Sequence, residues 1–224
     1  MQIDPYYIKR LARGHPKRLA YTLWARAADL YSWLFFDEYQ IPWKDLEGTL
    51  PRAPEADWLD TQVQPIQAAY LIWALQATDA MDGCVVEVGS WRGVTTCYLA
   101  RSTNARVIAI DPFIGDANET NLRMFQSRTE GNPNVHLIRQ PFGAAVRGWK
   151  HGAAKFVFVD AAHDYANVAH DLGLAHYITS AGGIIALHDT DDAAFPGCRR
   201  AVYERLDRFG LVAHIANLIL LRVR

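Results

Sequence analysis

The sequence has little cysteine and no long apolar run. Its 224 residues include three cysteines, an odd number without Cys-x-x-Cys spacing, so neither a disulfide framework nor a zinc cluster is predicted. No run reaches the ~20 apolar residues that cross a bilayer. The first residues also lack the apolar stretch of a signal peptide. These absences lead us to expect a cytoplasmic protein.

The chain also has little net charge, −1 at pH 7. A balanced chain has no general attraction for nucleic acid, and the Asn-Pro-Pro-aromatic run that accompanies flipped bases is absent. We therefore expect no nucleic-acid partner. Residues 1–26 are an exception, with six basic residues and one acid. They fit a solvated helix face, and contact with a membrane surface is the less favoured alternative.

From residue 62 onward, helical segments alternate with apolar segments that lack polar alternation. This pattern is typical of a parallel sheet covered by helices on both faces. The predicted strands are 84–88, 105–111, 134–139, 155–160 and 182–189. Two further apolar runs within 211–223 leave no room for a helix between them, which predicts an antiparallel hairpin. The predicted fold is α/β: a Rossmann-like, doubly wound, mostly parallel seven-stranded sheet with an antiparallel last strand.

Residues 1–61 differ from the rest and predict an N-terminal helical layer. Apolar residues recur there at helical spacing: Tyr21, Trp24, Ala28, Tyr31, Leu34 and Phe35. Prolines and a glycine then break the pattern after residue 41. The layer can simply pack on the second domain, residues 62–224, or act as a lid or as an oligomerisation segment. A homo-oligomer is one of our expectations.

A glycine turn follows the first predicted strand. In VVEVGSWRGVTT (85–96), the strand ends at Gly89 and a helix begins near Trp91. The N-terminus of this helix offers free N–H groups to a ligand. The dehydrogenase fingerprint needs a further glycine where Glu87 stands. An acid at that position suits a cationic ligand better than a pyrophosphate. Asp111 ends the second strand, where an acid commonly accepts ribose hydroxyls. A tight turn without a ligand is the alternative.

Two later strands end on clusters of acid and histidine. Asp160 and His163 follow one strand, and His188 and Asp189 end the next. Because ligands bind beyond the carboxyl ends of parallel strands, we expect one catalytic site formed by these four residues. The alternative is a purely structural role, in which these aspartates only cap the helices that follow.

Two chemistries stay open at this site. A divalent metal on Asp160, His188 and Asp189 would lower the pKa of a substrate hydroxyl. Mg²⁺ prefers oxygen ligands, whereas the histidine favours Mn²⁺, Zn²⁺ or Fe²⁺. Without a metal, His163 or His188 would be a general base oriented by an aspartate.

Four motifs carry a family resemblance: EVGSWRG (87–93), IDPF (110–113), VDAAHDY (159–165) and GGIIALHD (182–189). With them, residues 62–223 resemble a class I S-adenosylmethionine-dependent methyltransferase. The chain is most similar to small-molecule O-methyltransferases of the macrocin type, which methylate sugars.

The resemblance implies a cofactor site and a class of acceptor. The residues it assigns to S-adenosylmethionine are Glu87, Gly89, Ser90, Gly93, Asp111, Pro112, Phe113, Gln140, Phe142 and Asp160. In this assignment Asp111 binds the ribose, and Asp160 faces the sulfonium. The acceptor would be a hydroxyl of a small molecule such as a sugar or a natural product. The alternatives are an NAD-dependent dehydrogenase and a cofactor-binding module without catalysis.

Overall fold

The structure is a computed structural model that describes residues 4–53, 60–114 and 118–224. Its centre is a sheet of seven strands: β1 (Cys84–Val88), β2 (Val107–Ile110), β3 (Val135–Ile138), β4 (Ala154–Val159), β5 (Thr179–His188), β6 (Phe209–Ile215) and β7 (Leu218–Val223). The spatial order is β3-β2-β1-β4-β5-β7-β6, and β7 runs antiparallel to both of its neighbours. The predicted doubly wound sheet with its terminal hairpin is therefore confirmed.

Eight helices connect and cover the strands of the described residues. They are α1 (Pro5–Arg10), α2 (Pro16–Leu34), α3 (Pro65–Ala77), α4 (Val94–Arg101), α5 (Asn118–Thr129), α6 (Phe142–Arg147), α7 (Tyr165–Ile178) and α8 (Pro196–Tyr203). Neighbouring residues of β1 illustrate the two layers: Val86 packs with α6, α7 and α8, whereas Val85 packs with α3 and α4. Both faces of the central strands are buried, which explains their unbroken apolar sequence.

Three helices are shorter than the sequence pattern predicts, which is helical over 92–101, 142–150 and 197–209. Helix α4 begins at Val94 rather than near Trp91, because Trp91 and Gly93 have left-handed backbones with φ of 41° and 78°. Helix α6 ends at Arg147, before Gly148, and α8 ends at Tyr203. The chain then enters β6 directly through a short 3₁₀ turn. None of the described helices is long and apolar enough to cross a membrane.

The predicted apolar stripe of α2 is only partly buried. Tyr21 and Ala28 are buried, but Trp24, Tyr31 and Leu34 are 51%, 47% and 59% exposed. Helix α2 contacts α7 and α8 along a narrow strip. The apolar residues of α2 outside this strip therefore stay exposed. The helical N-terminal layer is present, but the stripe is not one buried face.

Polar contacts fix α2 on the domain. The Asp29 carboxylate accepts a hydrogen bond from the Tyr165 N–H at 2.9 Å, at the start of α7. Arg200 of α8 donates to the Ala28 carbonyl at 3.1 Å. Farther along, Lys44 pairs with His214 of β6 in an antiparallel bridge. The N-terminal layer is thus attached at several points.

Candidate active site

A cavity of about 600 Å³ opens at the carboxyl ends of β1, β2, β4 and β5. This volume suits a ligand the size of a cofactor. Eight of the predicted site residues line it: Gly89, Ser90, Asp111, Pro112, Phe142, Asp160, His163 and Asp189. Most of the residues predicted from the strand ends or from the family resemblance therefore lie at one cavity.

Five predicted residues do not line the cavity. Glu87 and His188 are buried in the protein interior. Phe113 packs edge-on against Phe125, with ring centroids 5.8 Å apart, and Gln140 is exposed outside the cavity. Gly93 is the N-cap of α4.

The cavity also has lining residues that the sequence did not indicate. They include Asp60, Thr61, Gln62, Trp91, Thr95, Ile114, Ala161, Asp192 and Phe195. Asp60 forms ion pairs with Arg92 and Arg128, which ties the end of the N-terminal segment to the glycine turn. An acid at the end of a proline-rich segment gave no periodic signal that could have placed it here.

Asp111 joins the turns that follow β1 and β2. Its Oδ2 accepts hydrogen bonds from the main-chain N–H groups of Ser90 and Trp91, at 3.0 and 2.9 Å. Its Oδ1 accepts from the Phe113 N–H at 2.7 Å. Trp91, Phe113 and Asp189 all have positive φ, 41°, 47° and 58°. Such strained backbone tends to persist where function requires it.

Glu87 is a fully buried acid two residues before Gly89, which lines the cavity. The Thr96 hydroxyl donates to its Oε2, while its Oε1 has no hydrogen-bond partner among the described residues. Burial raises the pKa of Glu87 to about 8. A cation bound above would favour the charged form.

The acids and histidines after β4 and β5 form one cluster. His163 Nε2 lies 2.9 Å from Asp189 Oδ2 and 3.6 Å from Asp160 Oδ1. His188 Nδ1 lies 3.2 Å from Asp189 Oδ1 and 3.7 Å from Asp160 Oδ1. The Asp189 carboxylate therefore lies between two imidazoles.

The cluster changes the acidity of its members. Contacts with Asp160 and then Asp189 raise the pKa of His163 to about 9. Burial alone would raise the pKa of Asp189, but the close imidazoles of His163 and His188 outweigh it and hold that pKa well below its usual range. Without another cation, His163 is an imidazolium between two carboxylates at neutral pH.

The cluster also has the geometry of a metal site. Asp160, His163 and Asp189 can each offer one ligand atom, with all three atoms within 4.8 Å of one another. His163 thus joins the two acids in the position predicted for His188. An imidazole beside two carboxylates suits Mn²⁺, Fe²⁺ or Zn²⁺ better than Mg²⁺.

Among the acids of this region, Asp164 is the one that caps a following helix, as the alternative prediction proposed. Asp164 caps α7 and accepts from the Asn167 N–H at 2.9 Å. Helix α8 has Phe195 at its N-cap with no side-chain hydrogen bond, so Asp189 does not cap it.

Comparison with known proteins agrees with this geometry. Residues 86–190 match the family model of a methyltransferase domain. A search of curated proteins found no match. Among solved structures, the O-methyltransferase TomG from Streptomyces achromogenes, involved in tomaymycin synthesis and solved with S-adenosylmethionine, has a TM-score of 0.59. It is 15% identical, and the match covers 97% of this chain and 94% of that one.

Two more solved structures show the same fold. An O-methyltransferase from Bacillus cereus, solved with S-adenosylhomocysteine, is 16% identical with a TM-score of 0.58, covering 98% of this chain and 96% of that one. The N-methyltransferase NodS from Bradyrhizobium japonicum is 14% identical with a TM-score of 0.53, covering 76% and 93%. At these identities the likeness shows a shared fold and does not select an acceptor.

The strand order, the cavity and the domain match define a Rossmann-like methyltransferase fold. The methyltransferase-domain match over residues 86–190 agrees with the resemblance of the sequence to class I S-adenosylmethionine-dependent methyltransferases. The buried, half-unpaired carboxyl of Glu87 and the size of the cavity fit this cationic cofactor. The dehydrogenase alternative is therefore set aside.

The raised pKa of Glu87 predicts a pH dependence of cofactor binding. Below pH about 8 the free protein holds Glu87 protonated, so binding of the ammonium group of S-adenosylhomocysteine should release a proton. We expect its affinity to rise with pH between about 6 and 8, by up to about tenfold per pH unit, and then to level off. Calorimetric titration at several pH values measures this.

Glu87→Gln is the matched control, because glutamine cannot ionise. Its affinity for S-adenosylhomocysteine should stay nearly constant over the same pH interval. Equal pH dependence in both proteins would show that another group releases the proton.

Proposed function

We propose that the protein methylates a hydroxyl of a small molecule at the ends of β4 and β5. The observation that carries the proposal is the convergence of Asp160, His163 and Asp189 on the wall of the cavity. A hydroxyl must lose its proton to become a good nucleophile, whereas a neutral amine already has a free electron pair. A cluster of two carboxylates and an imidazole therefore fits an oxygen acceptor better than a nitrogen acceptor.

The residues divide the work between cofactor and acceptor. The cofactor supplies an electrophilic methyl group. Asp111 accepts the ribose hydroxyls, Pro112 and Phe142 flank the adenine, and Ser90 lies beside the glycine turn that approaches the methionine part. The chain contributes mainly position, since displacement at a methyl group requires the hydroxyl in line.

The acid-histidine cluster acts on the acceptor hydroxyl. Asp160, His163 and Asp189 would hold a divalent ion, which would lower the pKa of a hydroxyl bound to it. The second candidate is His163 as a general base, supported by its 2.9 Å contact with Asp189. Because its pKa is about 9, such a base would hold its proton at neutral pH. A metal ion would displace that proton, and the three ligand atoms within 4.8 Å of one another make the metal the favoured chemistry.

Other parts of the functional reading stay predictions. They are the sugar or natural-product nature of the acceptor, a homo-oligomer, the roles of residues 1–61 as lid or oligomerisation segment, the cytoplasmic location, the lack of a nucleic-acid partner and the less favoured membrane contact. The cofactor assignments of Gly93, Phe113 and Gln140 are also predictions.

Replacement of Asp111 tests the proposed cofactor site. Asp111→Ala removes the ribose acceptor and leaves three main-chain N–H groups without their partner. We expect S-adenosylhomocysteine to bind about 10- to 100-fold more weakly, the loss typical of charge-assisted hydrogen bonds. Calorimetric titration measures the affinity.

Asp82→Ala is the control, because Asp82 is exposed at the opposite end of β1. Its affinity should equal that of the wild type. An unchanged affinity in Asp111→Ala would contradict the placement of the ribose. Tight binding of NAD instead of S-adenosylhomocysteine by the wild type would contradict the proposed function.

A further inference from the structure

A second cavity, of about 610 Å³, adjoins the cofactor cavity. Its walls come from α2, from the start of α7 and from the segment that leads into α8. The lining residues are Asp29, Leu30, Trp33, His163, Asp164, Ala193, Ala194, Phe195, Pro196 and Gly197. His163 and Phe195 line both cavities, so the two meet at the acid-histidine cluster.

His163 and Phe195 form the wall between the two cavities, and side-chain contacts hold this wall in place. The His163 ring stacks on Phe195 with centroids 4.4 Å apart and an interplanar angle of 27°. On the other side, the hydrogen bond from the Tyr165 N–H to Asp29 holds α2 against α7. A molecule in the second cavity would therefore reach His163 along a defined path.

The surface of the second cavity is apolar and flat on one side. Leu30 and Trp33 are one helical turn apart on α2, and Phe195 faces the cavity from the loop before α8. Trp33 is 63% exposed, so its indole is available to a ligand. Aromatic faces of this kind stack on planar rings and on the apolar faces of sugars.

Apart from His163, whose charge is paired with Asp160 and Asp189, the charged side chains of the second cavity are acidic. Asp29 and Asp164 line it, and among the described residues no lysine or arginine does. Lys9 lies 3.8 Å from Asp164 and offsets one of these charges in part. The adjoining cavity adds five aspartates and one arginine, Arg92, whose charge is paired with Asp60. An anionic acceptor would lose hydration and meet like charges here.

We propose that the second cavity is the acceptor site and that it takes a ring-bearing hydroxyl compound that is neutral or positively charged. The proposal rests on the proposed function and adds to it a location, a shape and a charge. Acceptors that carry a carboxylate or a phosphate near the ring are disfavoured by Asp29 and Asp164, whose charges remain when a metal ion neutralises Asp160 and Asp189.

Three phenols with the same ring and different tails test the charge preference. Tyrosol has a neutral tail, tyramine a cationic one, and 3-(4-hydroxyphenyl)propionate an anionic one. Each is titrated calorimetrically into the full chain saturated with S-adenosylhomocysteine. We expect tyrosol and tyramine to bind, and the propionate to bind at least about tenfold more weakly than tyramine.

Variants of α2 test the location. Trp33→Ala should weaken tyrosol and tyramine at least about fivefold and leave the affinity for S-adenosylhomocysteine unchanged. Asp29→Asn keeps an oxygen that can accept from the Tyr165 N–H and should reduce the preference for tyramine over the propionate. Trp43→Ala is the matched control: Trp43 is 67% exposed and stacks on His214, outside both cavities.

Three results would overturn the proposal. The propionate could bind as tightly as tyramine, Trp33→Ala could bind all probes like the wild type, or no probe could bind the loaded protein. Failure of S-adenosylhomocysteine itself to bind is a different result. It would contradict the proposed function first, and the acceptor site would fall with it.

Discussion

Gly89→Ala is expected to destabilise the fold by about 3 kcal/mol or more and to abolish cofactor binding. Gly89 has a φ of 90°, which alanine adopts only with strain. An added Cβ would lie 1.9 Å from the Asp160 carbonyl oxygen and 2.6 Å from its carbon. These are main-chain atoms of the neighbouring strand end, and the Asp160 N–H donates to Val88 at 2.8 Å. Neither chain can move without breaking that contact and shifting the site.

Gly131→Ala is the control for this substitution. No atom lies within 4 Å of an added Cβ at Gly131, and its φ is not positive. Its stability should stay within about 0.5 kcal/mol of the wild type. Urea unfolding and titration of S-adenosylhomocysteine measure both effects. A Gly89→Ala protein with wild-type stability and affinity would show that the turn is more adaptable than the structure indicates.

The sequence predicted the sheet well because the central strands are buried on both faces. Predicted strand 84–88 matches β1 at both ends. The terminal hairpin was also found, since too few residues separate its apolar runs for a helix. The same logic located Asp111, Asp160 and Asp189, which directly follow β2, β4 and β5. Where a parallel strand ends, its last polar residue points to the ligand edge.

His188 shows a feature that alternation along the strand could have predicted. Side chains of a strand alternate between its faces, and His188 shares a face with Ala186, which packs with α3 and α4. Its Nε2 lies 3.1 Å from Gln67 Oε1 of α3, inside that layer. His163 stands in a loop, so its ring can enter the cavity. Because every second residue of β5 faces the same side, the position of His188 along the strand predicts that it faces α3. This alternation would have distinguished His188 from His163, which faces the cavity.

The rest of the site depends on tertiary packing. Asp60, Trp33 and Phe195 belong to different segments, and none of them shows a periodic pattern that fixes its direction. Trp33 reaches the acceptor side only because α2 docks on α7 and α8. Residues that become neighbours through helix docking carry no signal in a single sequence.

Asp189→Asn is expected to weaken binding of Mn²⁺ by at least about 100-fold and to remove methyl transfer. The wild type should bind one Mn²⁺ per chain, measured by electron paramagnetic resonance of the free ion. The substitution removes a charged ligand of the cluster and also the partner that fixes the His163 ring at 2.9 Å. Asp192→Asn is the matched control: Asp192 lines the same cavity but lies outside the three-residue cluster.

The metal experiment also decides between the two chemistries. If the wild type binds no Mn²⁺, Zn²⁺ or Fe²⁺ and a chelator leaves turnover unchanged, the metal is excluded and His163 remains as the base. Contacts with Asp160 and Asp189 raise the pKa of His163 to about 9, and only its neutral form accepts a proton. Metal-free turnover should then increase with pH and level off above about 9. Binding of an ion by the wild type, lost in Asp189→Asn and kept in Asp192→Asn, would instead establish a metal held by the ends of β4 and β5.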